Sequence, residues 1–159
     1  MPVNLSSVTA KQVNKEKEMV DKTLVIRKIN LISEDFKALK SLAELDYDEY
    51  TSGPVNQVLA ERYLERMIGR TIDINYHLLT ELGHPPPTDY FKSFLDLVKI
   101  KVLPSDFARQ IAPAAGLRNR IVHEYDEIDP KKVYEGMQAA VRDLPVYLKC
   151  LSEFLEGVD

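Results

Sequence analysis

A chain of 159 residues, 45% of them apolar, can bury one core without disulfide or metal staples. Its net charge of -4 and pI near 5.5 exclude a protein coated in positive charge for nucleic acid, while leaving room for a local basic cleft. A single cysteine, Cys150, excludes an internal disulfide framework and reads as a helix-face thiol. Residues 1–15 are polar and form an expected N-terminal extension. Residues 16–159 form one expected helical domain. Val20, Leu24, Leu31, Phe36, Leu39 and Leu42 recur at helical spacing, which predicts a first helix to about Leu45, then a loop over 46–53. Pro54 suits the first turn of a second helix reaching Leu82. Its stripe of Leu64, Ile68, Ile72, Tyr76 and Leu79 is widened by Leu59, Tyr63, Ile74 and Leu78, so it should sit centrally. Gly83 followed by His84 and three prolines ends it. Thr88 is the expected N-cap of a third helix carrying Tyr90, Phe91, Phe94, Leu95 and Val98. Ser105 caps a fourth helix to Val122, which Pro113 should kink or split. Asp129-Pro130 opens a fifth helix to about Glu156, with a bend expected at Pro145. The expected fold is an all-α bundle of about five helices, and its wide apolar faces suit a two-fold homodimer.

No stretch approaches the length of a membrane span, and the first residues lack the apolar core of a signal peptide. The expected compartment is the cytoplasm. On the second helix, Arg62, Arg66, Arg70, Asp73, His77 and Glu81 fall on one line. The three arginines read either as a wider RNA-binding cleft or as a solvated face offset by Glu61 and Glu65. Asp73 and His77 are four apart and read as a hydrogen-bonded structural pair, since zinc needs at least a third protein ligand. His84 should be exposed in its turn. Asp46, Asp48 and Glu49 lack calcium-loop spacing and read as loop charge, with partner contact as the alternative.

One stretch joins two complementary chemistries: Arg118-Asn119-Arg120-Ile121-Val122-His123-Glu124-Tyr125. Arg118 is a permanent cation whose planar fork holds phosphate oxygens bidentately. Histidine ordinarily titrates near neutrality, so His123 is a candidate proton carrier. Metal-free RNA cleavage needs both: a base for the ribose 2′-hydroxyl and a cation for the anionic phosphorane. Five residues of helix separate the two side chains by roughly 140°. They therefore do not stack, whereas Asn119 and His123, four apart, do. A swing of the long arginine or a two-fold dimer would bring the pair together. A structural reading stands beside this one: cations in the last helical turns favour the negative end of the macrodipole, and tyrosine there packs at a core edge.

The stretch, with Ile128-Asp129-Pro130 behind it, resembles the R-x4-H-x-Y signature of the HepT toxins in the HEPN superfamily. The resemblance extends over Leu45 to Tyr50, Ile72 to Leu78, Val102-Leu103-Pro104 and Phe107-Ala108, and spans roughly Val20 to Leu155. It implies a metal-independent endoribonuclease toxin acting as a homodimer, with Arg118 and His123 catalytic and Asn119 in support. It implies that Tyr125 accepts AMP from a minimal nucleotidyltransferase antitoxin of the MntA type. ATP and Mg²⁺ then belong to the partner's reaction, and this chain needs no cofactor or metal of its own. RNA is the implied substrate, with no membrane or DNA partner. An alternative is a non-catalytic helical binding partner of such a nucleotidyltransferase; a third is a purely structural dimerisation bundle.

Overall fold

The computed structural model describes residues 21–124 and 127–157, and among these the regular structure is helical throughout. The helices are α1 (Lys22–Ala43), α2 (Tyr47–Ser52), α3 (Pro54–Glu81), α4 (Tyr90–Asp96), α5 (Ser105–Ile111), α6 (Ala114–His123) and α7 (Pro130–Glu156). The expected extension over 1–15 lies outside the described residues.

The bundle is built around α3, a 28-residue helix that starts with Pro54 in its first turn. Helices α1, α2, α4, α6 and α7 all pack against it. Leu64, Met67, Ile74, Leu78 and Leu79 are fully buried, each contributing about 1.5–3 kcal/mol by leaving water. Gly83 follows with φ +75°, a left-handed backbone that glycine adopts without a Cβ clash. On α1, Val25, Ile32 and Leu39 repeat at seven-residue steps and face α3 and α7. The open C-terminal carbonyls of α1 are met by α7: Tyr134 donates to the Leu45 carbonyl at 2.7 Å and Gln138 to that of Ala43 at 2.8 Å.

The expected loop over 46–53 is instead a short helix, α2. Asp46 accepts from the Glu49 N–H at 2.8 Å, and Glu49 accepts from the Asp46 N–H at 3.2 Å, a reciprocal capping box. Two of the acidic residues read as loop charge are thus capping groups. Tyr50 of α2 is buried against Tyr134, with ring centroids 5.4 Å apart. Two other caps shift by one residue. Asp89, not Thr88, caps α4 by accepting from the Lys92 N–H at 2.7 Å, and Ser105 is the first residue of α5 rather than its cap. Pro113 splits the expected fourth helix into α5 and α6, since it has no N–H to continue the ladder. Helix α7 is continuous through Pro145.

The arginine row divides: Arg62 keeps the solvated role, while Arg66 and Arg70 take one that the sequence did not suggest. Asp35, on α1 and only 7% exposed, receives Arg66 at 3.2 Å and Arg70 at 2.7 Å, so these cations fasten α3 to α1. Arg62 pairs with Glu65 at 3.5 Å on the surface. Helices α6 and α7 meet closely at Gly136, where an added Cβ would collide with Leu117 Cδ2.

Candidate active site around helix α6

Three buried residues, Ala115, Leu117 and Ile121, hold α6 against the bundle. Their spacing leaves Arg118 on the flank facing α4 and α3. Its guanidinium lies 5.4 Å from the centroid of the Tyr90 ring, a cation–π contact. Arg118 Nε is buried and has no hydrogen-bond partner among the described residues. No carboxylate forms an ion pair with Arg118 among the described residues, so its charge is not neutralised by a direct partner. The side chain borders a hollow of about 440 Å³ shared with Gly69, Ile72, Asp73, Tyr76 and Tyr90.

Tyr90 is itself held by a chain of buried polar groups. Ser93 Oγ donates to the Tyr90 carbonyl at 2.6 Å and accepts from Asn75 Nδ2 at 3.1 Å. Asn75 Oδ1 lies 2.6 Å from the Tyr147 hydroxyl, which also lies 3.1 Å from the Thr71 carbonyl. The single hydroxyl proton serves one of these acceptors at a time. Ser93, Asn75 and Tyr147 are fully buried, and desolvation pushes the Tyr147 phenol well above its ordinary pKa. Tyr76 meets the Tyr90 ring edge-on at 6.0 Å and donates to the Pro87 carbonyl at 3.4 Å. Its phenol is also raised, by desolvation first and then by Tyr90, Asp89 and Asp96. Both phenols remain neutral donors at physiological pH. This network was missed in the sequence. Its visible trace is Asn75, an amide inside an otherwise apolar run of α3.

His123 is the last residue of α6 and is exposed, as is Asn119 one turn before it. Among the described residues no hydrogen bond or ion pair joins Arg118, Asn119 and His123. One copy of the chain therefore places the cation and the imidazole on the same short helix without bringing them into contact, as the five-residue spacing requires. Tyr125 lies outside the described residues. The expected Asp73–His77 pair does not form: Asp73 bonds Lys28 at 3.3 Å, and His77 lies 3.9 Å from Glu81. His84 is half-buried rather than exposed. No cluster of three or more His, Cys, Asp or Glu able to hold a metal occurs among the described residues. No helix among them is long and apolar enough to cross a membrane.

Comparison with known proteins bears on the same region. A tRNA nuclease HepT from Aphanizomenon flos-aquae is 34% identical over 136 residues, covering 86% of this chain and 92% of that protein. Three solved structures share the fold at lower identity. A Bacillus subtilis protein, YutE, described as cytosolic and of unknown function, superposes with a TM-score of 0.76 at 17% identity over 87% of this chain and 92% of its own. A toxin–antitoxin complex with AMP-PNP gives a TM-score of 0.75 at 20% identity, over 83% and 99%. A tri-AMPylated Shewanella oneidensis HEPN toxin in complex with its MNT antitoxin gives 0.73 at 22% identity, over 82% and 97%. The family model for HepT-like ribonucleases matches residues 14–151, which include every helix but the end of α7. On that match and the curated relative, the chain belongs to the HepT-like ribonuclease family, a family of RNA-cleaving hydrolases.

Proposed function

We propose that this protein is a cytoplasmic endoribonuclease toxin whose reaction uses Arg118 and His123 and no metal ion. The observation that carries the reading is the state of Arg118: a cation without a carboxylate partner among the described residues, supported by an aromatic ring, with a buried Nε awaiting an acceptor. A phosphate supplies that acceptor. In the reaction, the ribose 2′-oxygen attacks the neighbouring phosphorus while His123 takes the hydroxyl proton. The bond to the 5′-oxygen breaks, and that oxygen receives a proton. The products are a 2′,3′-cyclic phosphate and a 5′-hydroxyl. Arg118 offsets the extra charge of the phosphorane, and Asn119 orients His123 or a phosphate oxygen. Because one chain keeps Arg118 and His123 apart, a two-fold homodimer is the arrangement that assembles the site, with one histidine as base and its copy as acid. The nuclease name of the Aphanizomenon relative supports RNA, and tRNA in particular, as the substrate class.

The Shewanella relative, AMPylated and bound to an MNT antitoxin, supports control by a minimal nucleotidyltransferase partner. In this reading the partner uses ATP and Mg²⁺ to transfer AMP to the phenol oxygen of Tyr125, releasing pyrophosphate. An anionic AMP group close in sequence to Arg118 competes with RNA phosphate. The test is induced expression of wild type against His123→Ala, with cleavage by purified protein in EDTA. Wild type should be toxic and cut RNA in chelator, while His123→Ala does neither yet keeps its helical circular dichroism. Mass spectrometry after incubation with the antitoxin and ATP should show an AMP adduct on wild type and none on Tyr125→Phe. Purified wild type that binds the antitoxin and never cuts RNA would favour the non-catalytic alternative.

A further inference from the structure

The hollow beside Arg118 is more than a socket for one phosphate. Gly69, Ile72, Asp73 and Tyr76 fall at i, i+3, i+4 and i+7 along α3, so they make one continuous stripe on its surface. A Cβ built on Gly69 meets nothing within 4 Å, which places open space directly above the helix there. Ile72 gives that stretch an apolar floor, and the rings of Tyr76 and Tyr90 stand beside it at 83° to each other. At about 440 Å³ the space is within the size range of small-molecule sites. Its lining carries one charge of each sign, the Arg118 guanidinium and the Asp73 carboxylate, and no ion pair joins the two. Asp73 is 61% exposed, and Lys28 holds only its Oδ2, at 3.3 Å.

That combination selects a chemical class. A carboxylate repels a second phosphate but accepts hydrogen bonds from N–H groups. Aromatic walls and an apolar floor suit a planar ring. A neutral planar donor attached to a phosphate is a nucleotide, with its phosphate on Arg118 and its base in the hollow. We propose that this hollow is a nucleobase subsite of the ribonuclease reading above, holding a base next to the cleaved linkage and favouring one with an exocyclic amine. Adenine, cytosine and guanine each present an amine to Asp73 Oδ1. The one N–H on uracil's pairing edge is flanked by two carbonyl oxygens that a carboxylate repels.

The experiment uses RNA oligonucleotides varied at the bases on either side of the cleaved linkage, together with versions carrying a 2′-deoxy sugar at that linkage for binding alone. Gly69→Leu fills the space and raises helix propensity, so folding is preserved. It should weaken binding of the deoxy oligonucleotides by about tenfold, the scale of one stacked base. Asp73→Ala should flatten the preference for amine-bearing bases, lowering cleavage beside adenine, cytosine and guanine relative to cleavage beside uracil. Wild-type ratios in both variants would overturn the subsite even with RNA cleavage intact. Loss of cleavage ability in wild type, with binding still weakened by Gly69→Leu, would sink the nuclease reading and keep the subsite. Free 5′-AMP binding lost in Gly69→Leu, with RNA binding and cleavage unchanged in both variants, would assign the hollow to a free nucleotide and overturn its place in RNA recognition.

Discussion

Two groups of arginines in this bundle have opposite surroundings. Along the seam of α1 and α3, Arg66 and Arg70 converge on one buried carboxylate, Asp35. At the corner of α6, Arg118 rests on the ring of Tyr90 and has no carboxylate partner among the described residues. The shared carboxylate offsets one of the two guanidinium charges and fixes the direction of both, which commits these side chains to the seam. An aromatic face supports a guanidinium through the ring quadrupole while leaving the net charge in place. The same residue type therefore acts as a fastener in one region and as a reserve of positive potential in the other. In the proposed function, this is how a chain of net charge -4 would offer a phosphate site: an arginine with no ion-pair partner among the described residues acts at short range, where the global balance counts for little.

The sharpest way to break this comparison is to remove one arginine from each side of it. Arg118→Ala should lower RNA cleavage by about 10²–10³-fold, the usual scale for deleting a transition-state charge donor, with the melting temperature nearly unchanged. Arg118→Lys should recover only a part, because an ammonium lacks the bidentate fork. Asp35→Ala should do the reverse. It leaves Arg66 and Arg70 without their shared partner and should cost about 1–3 kcal/mol, below the range for a fully buried pair because both arginines reach water. Thermal unfolding would register this, and cleavage per folded molecule should hold. Equal losses of activity in the two variants would erase the distinction.

Much of the scaffold is legible in the sequence because its signals are local. The apolar stripe of α3, the stop at Gly83 and the Asp129-Pro130 start of α7 each occupy a few neighbouring residues, and the structure has all three. Helix α2 escaped because six residues are too few for a period to show; its evidence was the Asp46–Glu49 box, which looks like loop acidity until the reciprocal bonds are seen. The pairing of Asp35 with Arg66 and Arg70 escaped for another reason. Periodicity along one helix says which side chains share a face and nothing about which residue of another helix they meet. The same limit hid the support of Arg118 by Tyr90, and of Tyr90 by Ser93, Asn75 and Tyr147, groups drawn from four helices. The separation of Arg118 from His123, in contrast, followed from helix geometry alone.

Smaller perturbations sharpen the comparison further. Tyr147→Phe removes the hydroxyl that serves Asn75 and Thr71, and should cost about 1–2 kcal/mol as a buried acceptor loses its donor. If the buried chain positions Tyr90, cleavage should also fall by a few-fold, and a double variant with Tyr90→Ala should add little to the activity loss of Tyr90→Ala alone. Fully additive losses would detach the network from the site. Least of all should change with Arg62→Ala. Its pair with Glu65 spans one turn on the surface at 3.5 Å, and its side chain is 63% exposed. Water and salt already screen such a pair, so stability should move by less than about 0.5 kcal/mol. Cleavage and its salt dependence should also stay at wild-type values, because Arg62 lines none of the hollow at Arg118. A changed salt slope for Arg62→Ala would mean that RNA reaches along α3 past the arginines that fasten α1, and the division between fastening and ligand-facing cations would have to be redrawn at Arg66.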